Sequence, residues 1–143
     1  MGGHAYSAYN AIAGLTADFG VVTTGGGDNV VLAQQATRFL VGCLRRMQEG
    51  KPLGFSVKYF EEYISMTHLN LAHLDELLVA DTQITLFSFL SVTLVKAGAL
   101  CLATELKTKS MAAAWNDNMV QMIEAGRPHA MLYVLKVFVL KEL

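Results

Sequence analysis

Residues 23–35 read TTGGGDN followed by VVLAQQ, and the helical pattern of the chain is organised around them. Three consecutive glycines release the backbone from the φ/ψ limits of other residues, which favours a loop. Asp28 or Asn29 can then cap a helix, because a short polar side chain accepts the first free amide protons. The stretch therefore predicts a loop, a cap and a helix whose free N–H groups suit a phosphate or the polar part of a nucleotide.

This loop has two possible interpretations, a simple turn and a nucleotide-binding site. A glycine-rich loop before a helix is more often a simple turn than a binding site. It is not a P-loop, because no Gly-Lys-Ser/Thr follows, and no βαβ unit surrounds it as the dinucleotide fingerprint requires. The glycines alone therefore establish no nucleotide site.

The helix after the loop has the clearest pattern in the chain. Between Asn29 and Gln48, apolar residues recur at spacings of three and four, which predicts an amphipathic helix. Arg45 and Arg46 fall in its last turn, where cations suit the helix dipole, and Gly50 is predicted to end it.

Helical patterns cover most of the remaining sequence, and no period-two strand pattern persists. Asp81 is the predicted cap of the longest helix, and Pro128 is expected to break or kink the chain because proline lacks an amide donor. The glycine loop is expected over residues 20–28. The sequence thus predicts an all-α bundle of up to seven helices, the others lying at residues 10–19, 55–66, 67–80, 81–109, 112–125 and 128–143.

The composition predicts surface that is meant for burial. Hydrophobic residues make up 53% of the 143 residues and charged residues only 16%, whereas about 45–50% and about 25% are usual. The excess favours contact with more of the same polypeptide, a second subunit or lipid. A net charge of −1 gives no electrostatic case for nucleic acid or an anionic membrane.

Residues 84–104 carry one charge, Lys96, and are long enough to cross a bilayer. Ser88, Ser91 and Thr93 interrupt the apolar run, and a charge in the middle of a membrane span is costly. We therefore expect a buried bundle helix, with a membrane helix as the alternative.

Several other side chains are expected to pack rather than react. Cys43 and Cys101 lie in apolar helical patterns, which predicts buried free thiols and an intracellular setting. Trp115 is expected at an interface and His129 in a packing or capping role. No zinc site is predicted, and four methionines at helical spacing are predicted to fill the core: Met111, Met119, Met122 and Met131.

Four motifs in the first forty residues occur in a characteristic order: GGHAY at residues 2–6, Asp28-Asn29, VLAQQ at residues 31–35 and RFL at residues 38–40. Together they resemble the C-terminal part of the acyl-CoA oxidases, which are flavoenzymes of the acyl-CoA dehydrogenase superfamily. The later residues resemble that family only loosely, through their helical pattern and the GRPHA stretch at residues 126–130.

The resemblance implies a flavin site shared across a homodimer. In that family the glycine stretch of one subunit contacts the FAD held mainly by its mate, which here corresponds to Gly2 and Gly3, with Ala5 at the position of the motif's last glycine. Asp28 and Asn29 match the pair beside the cofactor. The implied reaction, part of fatty acid β-oxidation, converts a fatty acyl-CoA to a trans-2-enoyl-CoA and passes the electrons to oxygen.

The resemblance assigns no catalytic residue in this chain. The family's catalytic Glu corresponds to Gly26, and the aromatic residue before it to Gly25. Glycine has no side chain to accept the α-proton, and a general base contributes about 10²- to 10⁴-fold in rate. Asp28 or a carboxylate from elsewhere are the possible substitutes. A catalytically inactive helical homologue is therefore the alternative to an active oxidase.

The resemblance also implies a domain division and a location. Residues 1–50 would end the first C-terminal helical domain, and residues 51–143 would begin the second, with the linker GKPLG at residues 50–54 between them. The flavin domains would lie upstream, so we expect a piece of a longer polypeptide. A peroxisomal location is implied, although LKEL at residues 140–143 is not a Ser-Lys-Leu signal.

Overall fold

A computed structural model describes residues 4, 7, 9–25, 29–70 and 73–140. All regular secondary structure among these residues is helical, which confirms the predicted all-α bundle. Short 3-10 segments at Phe55–Val57 and Leu74–Leu78 accompany the α-helices. The α-helices within the described residues are α1 (Ile12–Gly25), α2 (Asn29–Gln48), α3 (Tyr59–Tyr63), α4 (Ala80–Glu105), α5 (Met111–Asp117) and α6 (Met119–Leu140).

The chain forms two compact units, Met1–Leu32 and Ala33–Leu143. In the first unit, Asn10 accepts a hydrogen bond from the amide of Ile12 at 3.0 Å and so starts α1. The helix continues to Gly25, so the prediction of a loop from residue 20 is wrong for residues 20–25. A glycine inside a helix costs about 1 kcal/mol relative to alanine, which weakens a helix without necessarily ending it.

The core of the second unit lies between α2, α4 and α6, with α3 packed against α4. Leu40 of α2, Phe60 of α3 and Val95 of α4 are fully buried in one cluster. Because this cluster joins residues on both sides of the 50–54 linker, the linker does not separate two cores. The domain division at residue 50 remains a prediction.

The α2 bounds are those that the sequence predicts. The helix spans Asn29–Gln48, with Arg45 and Arg46 in its last turn. Gly50 follows with a φ of 68°, a left-handed conformation that glycine adopts without the steric cost of a Cβ.

Where α6 approaches α2, glycine is required. A Cβ on Gly126 would lie 2.5 Å from the hydroxyl oxygen of Thr37. Thr37 is fully buried, and its hydroxyl donates to the carbonyl of Met122 at 2.6 Å. Two turns of helix therefore meet here without a side chain between them.

Pro128 lies inside α6 and does not end it, so the prediction of a new helix starting near residue 128 is wrong. Proline removes one internal hydrogen bond, but Pro128 is buried where α6 packs against α4, and that packing holds the helix together. The break lies instead at Asn118, between α5 and α6, where the buried side chain donates to the carbonyl of Ala114 at 2.9 Å. The last helix is described to Leu140.

Residues 67–80 do not form the predicted helix. The chain has no regular structure from Thr67 to Asn70, and the 3-10 segment Leu74–Leu78 is followed by α4. Val79 is the N-cap of α4 and makes no side-chain cap bond, so the prediction that Asp81 caps this helix is wrong. Asp81 lies in the first turn, where its negative charge favours the helix dipole.

Helix α4 contains residues 84–104, the apolar run for which a membrane helix is the alternative interpretation. It has 26 residues with a mean hydropathy of 1.9, which makes it long and apolar enough to cross a bilayer by length and composition. One third of its most apolar window, 33%, is buried inside the chain. Lys96 on its exposed side donates to the carbonyl of Ile64 at 2.7 Å. Within the described residues α4 is the central helix of the bundle.

Side-chain burial corrects three expectations. Cys43 is buried, whereas Cys101 is exposed; both are free thiols. Of the four methionines, Met122 is fully buried and Met119 partly buried, but Met111 and Met131 are exposed. Trp115 is buried in a small cluster inside the second unit rather than at an outer surface. Helical spacing alone does not determine which side of a helix faces the core when both sides are apolar.

Candidate functional site

Of the predicted flavin contacts, the structure describes only Asn29. It is the first residue of α2 and is exposed. Gly2, Gly3 and Asp28 lie outside the described residues, as does Gly26 at the position of the family's base. The structure therefore does not test the predicted site as a whole.

The start of α2 nevertheless has the properties that the prediction needs. The dipole of a long helix such as this one, with 20 residues, places partial positive charge at its start. An exposed helix start of this kind suits an anionic group such as a pyrophosphate. Asn29 is thus positioned at a surface where such a group could bind.

The RFL motif has a structural role on α2. Leu40 is fully buried in the core, whereas Phe39 is 54% exposed. The guanidinium of Arg38 lies 4.7 Å from the centre of the Trp115 ring, a cation–π contact that connects α2 to α5. The indole nitrogen of Trp115 is buried and has no hydrogen-bond partner among the described residues. These contacts explain the motif without a ligand.

A second polar cluster was not predicted from the sequence. The hydroxyl of Tyr59 on α3 lies 2.8 Å from the hydroxyl of Ser91 on α4 and 2.9 Å from Nδ1 of His129 on α6. Ser91 is fully buried, Tyr59 is 6% exposed and His129 is partly buried. Three helices thus meet at one hydrogen-bonded chain, which we call the Tyr59 cluster.

Burial keeps the Tyr59 cluster neutral near pH 7. Desolvation raises the pKa of Tyr59 to about 12, although the hydrogen bond with Ser91 opposes this shift. Desolvation also lowers the pKa of His129, and the nearby cation of Lys136 lowers it further. A neutral phenol and a neutral imidazole can form a hydrogen bond with each other, so the polar groups of the cluster are paired without any of them being charged.

A cavity of about 400 Å³ opens beside this cluster. We call it the α3–α6 cavity. Its polar lining comes from Ser56, Lys58, Tyr59, Glu62, His129 and Lys136. Its apolar lining comes from Phe55, Ile84, Leu132, Tyr133 and Val137.

The Tyr59 cluster suits binding and positioning better than nucleophilic catalysis. Its serine is fully buried and is separated from the histidine by the tyrosine, whereas a serine nucleophile needs a base in direct contact. No group of three or more potential metal ligands occurs in the described residues. Sequence spacing could not reveal the cluster, because its members are 32 and 70 residues apart.

Comparison with known proteins supports the resemblance seen in the motifs. Residues 1–41 match the family model described as the acyl-CoA oxidase C-alpha1 domain. The chain is 25% identical to peroxisomal acyl-coenzyme A oxidase 1 of Dictyostelium discoideum, over 96% of this chain and 23% of that protein. It is 28% identical to the Mus musculus protein of the same name, over 96% of this chain and 22% of the relative.

A shorter match is closer in sequence. Over 58 residues, 41% of this chain and 8% of the relative, the identity to acyl-coenzyme A oxidase 3 of Yarrowia lipolytica is 45%. No solved structure matches the chain. The chain spans less than a quarter of the length of the first two relatives, at 23% and 22%.

Proposed function

We propose that the chain is part of the C-terminal helical region of an acyl-CoA oxidase-like protein, in which it contributes to FAD binding and dimer formation. The observation that carries this proposal is the position of the family match. It covers residues 1–41, which include all four predicted flavin contacts: Gly2, Gly3, Asp28 and Asn29.

Each of these residues has a physical reason to contact a dinucleotide. Gly2 and Gly3 lack a Cβ, so their main chain can approach a pyrophosphate closely. Asp28 and Asn29 precede or begin α2, whose dipole favours the negative charge of that group. When bound, FAD would supply the hydride acceptor of the oxidation. The residues of this chain would hold and orient it across a homodimer.

The substrate and location follow from the same proposal. A fatty acyl-CoA would be oxidised to a trans-2-enoyl-CoA with oxygen as the electron acceptor. A peroxisomal location is supported by the names of the Dictyostelium and mouse relatives. No catalytic base is proposed within this chain, because Gly26 occupies the position that the resemblance gives to the glutamate. The base would have to come from another carboxylate.

The cofactor assignment is tested on the purified polypeptide that contains this chain. We expect it to carry the yellow absorbance of bound flavin. Asn29→Ala should weaken FAD binding by about 2- to 10-fold, the loss of one hydrogen bond. Asn70→Ala, at another exposed asparagine, is the matched control and should leave FAD binding unchanged. A colourless protein that does not bind added FAD would refute the proposal.

A second candidate function is a catalytically inactive homologue that keeps the helical surface. The glycines at positions 25 and 26 favour it, because neither the aromatic residue nor the base of the family is present there. Release of hydrogen peroxide with acyl-CoAs of several chain lengths separates the two functions. Turnover that is abolished by replacing a nearby carboxylate would exclude the inactive homologue. Flavin binding without turnover would support it.

A further inference from the structure

The α3–α6 cavity has the size and lining of a small-molecule site. Its volume of about 400 Å³ lies within the range of about 300–1,000 Å³ that is typical of ligand pockets. Such pockets combine a mainly apolar wall with a few polar groups that orient the ligand. Here Ile84, Leu132 and Val137 supply apolar wall from α4 and α6, and Phe55 supplies apolar surface that is 96% exposed.

The charged groups of the cavity favour an anion. Lys58 and Lys136 line it together with a single carboxylate, Glu62, which leaves one positive charge in excess. The ammonium group of Lys136 lies 5.5 Å from the centre of the Tyr59 ring, and Tyr59 also lines the cavity.

His129 adds a hydrogen-bond donor to the same wall. Its Nδ1 is engaged by the hydroxyl of Tyr59, and its other ring nitrogen makes no hydrogen bond with the described residues. If the Tyr59 hydroxyl donates to Nδ1, the neutral ring carries its proton on Nε2. Ser91 then donates to Tyr59 and fixes this arrangement from the buried end. In that tautomer the free donor lies on the imidazole that lines the cavity.

We propose that the α3–α6 cavity binds a small carboxylate with an apolar body, such as a medium-chain fatty acid anion. The carboxylate lies between Lys136 and Nε2 of His129, and the hydrocarbon chain lies against Ile84, Leu132 and Val137. This site is distinct from the predicted flavin contacts, which all lie in residues 1–29. The proposal does not depend on flavin binding.

Each part of the ligand matches one observation. A cation is disfavoured because lysines outnumber carboxylates around the cavity. A fully polar anion would leave the apolar wall without a partner, whereas an apolar chain removes that surface from water at about 25 cal/mol per Å². An uncharged alcohol of the same length gains the apolar contact but not the attraction of Lys136.

The test is a calorimetric titration of the full chain with decanoate, below its micelle concentration, and with decanol. We expect saturable decanoate binding at one site and weaker binding of decanol. Lys136→Met keeps the length of the side chain, removes its charge and should weaken decanoate binding about fivefold, as expected for a partly exposed ion pair. Lys107→Met, at an exposed lysine that does not line the cavity, is the matched control and should change nothing.

A further variant tests the cavity itself. Val137→Trp should fill it from a position that is 39% exposed, so the core is left in place and binding of both probes should be lost. Thermal unfolding verifies that each variant is folded. The proposal is overturned if the folded wild-type chain binds no decanoate, or if decanol binds as tightly. It is also overturned if Lys136→Met and Lys107→Met behave alike, or if Val137→Trp still binds.

Discussion

The first unit and the second unit of this chain carry different kinds of information. Residues 1–32 hold most of the stretch that matches the acyl-CoA oxidase family model, yet α1 leaves Leu15, Phe19 and Val22 exposed. Residues 33–143 hold the buried core, together with the end of the VLAQQ motif and the RFL motif, whose Leu40 is fully buried. A ligand contact depends on particular residues, whereas a core accepts many apolar residues of suitable volume. The predicted flavin contacts, which all lie in residues 1–29, and the buried core therefore occupy different parts of the sequence.

If this comparison holds, substitutions in the second unit should change stability, and those near residue 29 should change cofactor binding. The largest effect is expected for Phe60→Ala, because Phe60 is fully buried. Removing a buried phenylalanine costs about 3–5 kcal/mol of the free energy of unfolding. Urea denaturation measures it. Phe55→Ala, at a 96% exposed position, is the control, and a loss as large as that of Phe60→Ala would contradict the assigned core.

A smaller loss is expected where α6 crosses α2. Gly126→Ala places a Cβ 2.5 Å from the Thr37 hydroxyl oxygen and should cost about 1–3 kcal/mol in urea denaturation. Gly42→Ala is the matched control, because it lies inside α2 with no atom within 4 Å of the added carbon. It should stabilise the chain by up to about 1 kcal/mol. Two losses of equal size would refute the close approach.

The Tyr59 cluster should make stability depend on pH. The pKa of His129 is lowered by burial, so the unfolded chain binds more protons below pH ~6.5 than the folded chain does. Its contribution is complete above that pH and is lost as the pH falls, by at most about 1.4 kcal/mol per pH unit. Urea denaturation at pH 6.5 and 5.5 measures this slope.

The matched pair for this measurement is His129→Gln and His73→Gln. The first should flatten the slope between pH 6.5 and 5.5, because it removes the buried imidazole. The second, at an exposed histidine, should keep the slope of the wild-type chain. A slope that is unaffected by His129→Gln would show that this histidine is not held neutral in the folded state.

The smallest effect on stability is expected for Asn29→Ala, less than about 0.5 kcal/mol, because the residue is exposed. The same variant should weaken FAD binding, as proposed above. Urea denaturation and flavin titration on one sample test both halves of the comparison. A large loss of stability without a change in flavin binding would show that Asn29 supports the fold and does not contact the cofactor.

Local patterns were reliable where local interactions decide the structure. The bounds of α2 were predicted at Asn29 and Gln48, since an apolar stripe, terminal arginines and a following glycine all indicate the same helix. The predicted end of α1 lies six residues too early, because residues 20–25 are assigned to the glycine loop. The break predicted at Pro128 is wrong for a related reason. Contacts between α6 and α4, which is distant in sequence, offset the loss of the hydrogen bond that proline cannot donate.

By itself, the sequence determined that the chain is helical, where its best helix begins, and which family its first forty residues resemble. Those features depend on neighbours three or four positions apart or on an ordered set of residue types. Only the tertiary structure decided that Tyr59, Ser91 and His129 share one hydrogen-bonded chain beside a cavity. Three helices contribute to that cluster, and contacts between distant segments leave no periodic signal in the sequence. Packing brings them together, and burial then sets their protonation.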